Sequence, residues 1–109
     1  MAFSKPMTSF IVRVELQGGH DEDYRRLDAE MEKRKFLRAI PDANGQSYVM
    51  PSGEYFYQGH KSAAYMCEMG EQAATVIGKT SNVLAAEVMM VAFSLEPVKG
   101  SRRSYGPFD

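Results

Sequence analysis

His20 and His60 are the two histidines of this sequence. A pair of imidazoles supplies base and acid for attack of a ribose 2′-hydroxyl on its own phosphodiester. Tyr55 and Tyr57, two residues apart in an extended stretch, share one face of it. With Arg13 on an adjacent strand they would form a platform on which single-stranded bases stack. The residues around them lack the basic-glycine-aromatic spacing of an RNA-recognition motif, so burial of the rings in a dimer contact competes with that use. The sequence contains no P-loop, C-x-x-C, H-E-x-x-H or dinucleotide fingerprint. Asp21, Glu22 and Asp23 read as helix capping, so the sequence predicts neither a metal nor a cofactor. The single cysteine, Cys67, sits in a helical stripe and reads as packing.

These groups hang on a simple pattern of elements. Phe10, Val12, Val14 and Leu16 alternate with Ile11, Arg13 and Glu15, the signature of a half-buried central strand over 10–16. Gly18 and Gly19 allow a turn into a helix over 21–35, whose inner face carries Tyr24, Leu27 and Met31. Lys33, Arg34 and Lys35 lie in its last turn, where the helix dipole favours cations. A second strand over 36–40 runs into Pro41-Asp42-Ala43-Asn44-Gly45, a hairpin turn in which Asn44 and Gly45 are expected at positive φ. The return arm, 47–50 and 54–58, reads as one third strand interrupted at Pro51-Ser52-Gly53. Ser62 caps a second helix with a stripe of Ala63, Met66, Cys67, Gly70, Ala73, Ala74 and Ile77, ended by Gly78. A final strand over 82–95 is apolar on both faces.

The order β-α-β-β-α-β with right-handed crossovers predicts a ferredoxin-like α+β sandwich, strand order 4-1-3-2, both helices on one face. At 109 residues, the chain is one domain over 10–96, with a flexible start at 1–9 and a disordered basic tail at 97–109. In this fold His20 and His60 stand at opposite ends of neighbouring antiparallel strands, roughly 15–20 Å apart, and meet only across a dimer. The long final strand predicts that dimer, because one core cannot hide both of its faces. A net charge of −1 gives no general attraction to nucleic acid, so RNA binding needs a local basic surface. No apolar run reaches membrane-spanning length and no secretory pattern opens the chain, which predicts a cytoplasmic protein without a membrane partner.

The run Tyr24-x-Arg26-Leu27-x-x-x-Met31-x-x-x-x-Phe36, followed by Asp42-x-x-Gly45 and an aromatic at Tyr55, resembles the GhoS-type family. These are small ferredoxin-like endoribonucleases that act as antitoxins by cutting a toxin's messenger RNA, and are in turn similar to the small CRISPR-associated ferredoxin-like subunits that dimerise through their sheets. The resemblance implies a dimeric, metal-independent endoribonuclease acting on single-stranded RNA. Arg26 would hold phosphate and Asp42 would serve as base, with Arg13, Arg38, Tyr55 and Tyr57 as RNA contacts; Arg102 and Arg103, in a basic tail that has no clear counterpart in that family, are further RNA-binding candidates. Each has a plainer use: Arg26 as a solvated helix residue, Asp42 as turn chemistry. Two further classes fit the same sequence, a non-catalytic dimeric module that binds protein or RNA, and a small-molecule sensor.

Overall fold

A computed structural model describes residues 7–99. The elements run β1 (Thr8–Leu16), α1 (Asp21–Lys33), β2 (Ala39–Pro41), β3 (Ser47–Val49), β4 (Glu54–Gly59), α2 (Ala63–Val76) and β5 (Ser81–Val88). The fold class is α+β. β1 is central, as its alternation predicts, and pairs antiparallel with β4 on one side and β5 on the other. β2 and β3 form a separate two-stranded antiparallel sheet. The predicted single sheet of four strands is therefore corrected: the interrupted third strand is two strands, and the break at Pro51–Gly53 moves them into different sheets. Leu37 alone, in the predicted second strand, bridges to Phe56 of β4, with N–H to O distances of 2.8 and 2.9 Å.

Both helices lie on the sheet face formed by Phe10, Val12, Val14 and Leu16, all buried, with Leu27, Met31, Met66, Ala73, Ala74 and Ile77 packed onto them. Ser62 caps α2 by accepting the Tyr65 N–H at 3.1 Å. The Asp23 carboxylate accepts the His20 N–H at 2.9 Å, and this bond, with Lys79 nearby, holds Asp23 below the usual carboxylate range. α2 approaches the sheet through Gly70, where a Cβ would stand 3.1 Å from Val83 and 3.2 Å from Val14.

The hairpin turn differs from expectation in one residue. Gly45 takes φ +87°, but Asn44 stays at negative φ. The Asp42 N–H bonds Gln46 O at 2.8 Å and the Gly45 N–H bonds Asp42 O at 3.1 Å, a type I turn followed by one left-handed glycine.

The largest correction concerns the end of the chain. β5 stops at Val88, and the following residues cross the opposite sheet face as a strap. Phe93 and Leu95 in the strap pack on a second, smaller core of Ile40, Met50 and Phe56, beside Ile11 and Tyr48. The strap is then tied to β3 by Val49 N–H to Glu96 O at 2.8 Å and Val98 N–H to Ser47 O at 3.0 Å. Part of the second apolar face is thus covered from within the chain, which removes the premise that a dimer must cover it. The predicted disordered tail is likewise corrected at 97–98, and Thr8 and Ser9, expected in a flexible start, belong to β1. Residues 1–6 and 100–109 of those predicted ends lie outside the described residues. No helix among the described residues is long and apolar enough to cross a membrane.

Candidate functional site

Register decides which side chains share a surface. Val12 stands opposite Tyr55 and Phe10 opposite Tyr57, so both tyrosines point to the helix side of the sheet with the buried residues of β1. Arg13 points the other way. The predicted platform of Tyr55, Tyr57 and Arg13 is therefore split between opposite faces. Tyr55 is fully buried, and Tyr57 lies edge-on to Phe10 and tilted against Phe36, with ring centroids 6.2 and 4.9 Å away. Neither ring is free to stack on a base.

Three other predicted groups are held by the fold. Arg38 donates through Nη1 to Pro51 O at 2.6 Å and Glu54 O at 2.9 Å, places Nε 3.4 Å from Asp28 Oδ2, and lies over the Tyr55 ring. The Tyr55 hydroxyl donates to Asp28 Oδ1 at 2.6 Å, and burial together with that carboxylate pushes its pKa far up. This Arg38–Asp28–Tyr55 network borders a cleft of about 340 Å³ lined also by Arg25, Glu32 and Phe36, but its members already satisfy one another. Asp42 Oδ1 accepts the N–H groups of Asn44 and Gln46 at 2.8 and 3.0 Å, and Oδ2 accepts the Tyr48 hydroxyl at 3.1 Å. It shapes the turn. Arg26 reaches across to α2, where Nη2 stands 3.4 Å from Ile77 O, and Nη1 lies 3.8 Å from Asp23. Arg26 and Asp42 share no partner, and nothing brings them to one scissile bond. Arg102 and Arg103 lie outside the described residues. His20 precedes α1 beyond the end of β1, while His60 follows Gly59, which pairs with Thr8 at the start of β1. The two imidazoles stand at opposite ends of the strand pair.

A larger open cleft of about 500 Å³ lies between the Asp42 turn, Tyr48 and the strap, and a second open surface is the face and edge around β5. Arg13, Glu15, Asn82, Val83 and Leu84 line a shallow cleft of about 260 Å³. Asn82 Nδ2 donates to Glu15 Oε1 at 3.2 Å, whereas the Arg13 guanidinium has no partner among the described residues. Leu84 is 68% exposed, and Met89 and Met90 just beyond β5 are almost wholly so. This surface offers no nucleophile and no acid–base pair. It offers apolar contact, one arginine and unpaired backbone. Sequence reasoning passed over Leu84 and Met89 as parts of a long two-faced strand; the turn-free run after Val88 carries no local mark of the departure from the sheet. Comparison with protein-family models, curated proteins and solved structures returns no match.

Proposed function

We propose that the protein is a non-catalytic binding module that works as a homodimer on a ferredoxin-like scaffold. The scaffold reading is supported by the Leu37–Phe56 bridge, through which one residue of the predicted second strand meets β4 at its edge away from β1. One observation carries the function: Arg38, Asp42 and Tyr55 are held in bonds within the fold and Arg26, half exposed on α1, shares no partner with any of them, while Leu84, Met89 and Met90 are presented to solvent. Solvent-facing apolar side chains gathered beside a sheet edge suit association rather than turnover.

Metal-independent RNA cleavage is the competing reading, and one preparation separates the two. Light scattering at micromolar concentration is expected to give the mass of two chains. Labelled single-stranded RNA, incubated with and without chelator, is expected to stay intact. Specific cutting that survives EDTA and is lost in Arg26→Ala, with an unchanged melting curve, would replace this proposal with the endoribonuclease reading.

A further inference from the structure

The sheet β4-β1-β5 has two edges of different character. At β4 the edge is met by Leu37, through both backbone bonds of Phe56. At β5 no strand among the described residues lies alongside. Natural edge strands are usually guarded by charged side chains, above all lysine, by proline, a bulge or very short length. Ser81–Val88 has eight residues with no lysine, arginine or proline, and its one charge, Glu87, stands next to its last residue.

The bonding pattern fixes which groups that edge presents. Gln17 N–H donates to Thr80 O at 3.0 Å, and the register continues as Glu15 with Asn82 and Arg13 with Leu84. In an antiparallel ladder, residues bonded to one neighbour alternate with residues whose N–H and C=O face the other way. Even-numbered residues of β5 therefore bond β1, and Ser81, Val83, Ala85 and Glu87 turn theirs to the free edge. This set is symmetric about Leu84.

Resting on the dimeric reading above, we infer that β5 pairs antiparallel with β5 of a second copy of this chain, in the register that sets Leu84 opposite the partner's Leu84. Val83 then exchanges backbone bonds with the partner's Ala85, and Ser81 comes opposite the partner's Glu87. The two glutamates do not face each other. Shifting the two-fold axis to Ala85 would set Glu87 against Val83 and leave Ser81 with no strand residue opposite, so charge and hydrogen bonding both favour Leu84 at the axis. Leu84, the large hydrophobic side chain of β5 that stands exposed, meets its own copy at the close, non-hydrogen-bonded kind of pair.

The second copy also completes the cleft beside β5. Its wall of Arg13, Glu15, Asn82 and Leu84 ends at the edge strand, and the two-fold continues it into a trough with the order Arg13, Leu84, the partner's Leu84, the partner's Arg13. Three strand spacings put the two guanidinium-bearing positions about 14 Å apart.

Cysteine pairing tests the register on the full chain. In a Cys67→Ser background, which removes the native thiol, Leu84→Cys is expected to form a disulfide-linked dimer under mild oxidant. Opposed residues at such a pair lie about 4.5 Å apart at Cα, within disulfide reach. Ala86→Cys is expected to stay uncrosslinked, because its own copy lies about 13 Å away. Leu84→Lys, at an exposed position, is expected to weaken the dimer about tenfold or more, with the monomer's circular dichroism unchanged. A dimer by light scattering in which Leu84→Cys does not crosslink, or Ala86→Cys crosslinks as well, overturns the register and leaves the dimeric reading in place. A monomer by light scattering overturns both.

Discussion

The hydroxyl of Tyr55 donates a 2.6 Å hydrogen bond to Asp28, tying the middle of β4 to α1 through a carboxylate that Arg38 also approaches at 3.4 Å. The ring is fully buried, so the bond closes the polar end of an otherwise apolar side chain. Tyr55→Phe removes it while keeping the packing, and is expected to cost about 1–2 kcal/mol. The same bond sets a pH dependence. Burial and the adjacent carboxylate raise the folded pKa of Tyr55 above the ordinary tyrosine value of 10.0. Its contribution is therefore complete below pH 10 and declines above it, where the unfolded chain releases a proton that the folded chain keeps. Thermal melts taken across that range should fall more steeply for the wild type than for Tyr55→Phe; parallel curves would mean that the hydroxyl is not buried.

Gly53 and Gly45 both take positive φ, but for different reasons. At Gly53, φ is +80° and a Cβ would stand 2.7 Å from the Val14 carbonyl oxygen, a backbone atom that cannot move aside. At Gly45, φ is +87° and the space is open. Gly45→Ala should cost about 1 kcal/mol, from backbone conformation alone. Gly53→Ala adds steric overlap and should cost about 2–4 kcal/mol. Denaturant titration of the two variants side by side checks the order, and equal costs would contradict the close approach of Gly53 to β1.

Phe93 anchors the strap, with its ring centroid 5.1 Å from that of Tyr48 and its side chain packed on the smaller core. Because it is partly exposed, Phe93→Ala should cost about 1–2 kcal/mol, less than a fully buried phenylalanine. The variant should also bind a hydrophobic dye, since Ile40, Met50 and Phe56 lose their cover. Unchanged dye binding and melting temperature would show that the strap does not shield this face.

The parts of the fold that were legible in the sequence are those set by local spacing. Strict alternation marked β1, the three-and-four spacing of Tyr24, Leu27 and Met31 marked α1, and Ser62 and Gly78 bracketed α2. Long-range pairing was not legible. The side of the sheet that Tyr55 faces depends on its register against Val12, and a shift by one residue would have put it beside Arg13 as expected. The partners of Arg38 and Asp28 come from distant elements, as does the Ile77 carbonyl that Arg26 reaches, so no local pattern announced these contacts. Phe93 and Leu95 kept a strand's alternation because an extended segment lying on a sheet buries every second side chain whether or not it is hydrogen-bonded as a strand.

The strap also gives assembly of the domain a direction in time. The larger core draws its buried residues from Phe10 to Ile77, so during synthesis it can close once β5 has left the ribosome. The smaller core needs Phe93 and Leu95, which follow β5 in the chain, and the bonds from Val49 and Val98 that fasten them come later still. Until those residues emerge, Ile40, Met50 and Phe56 stand uncovered on a finished sheet. Emergence of the strap therefore acts as a latch, and the nascent chain is most exposed to unwanted association in the interval before it closes.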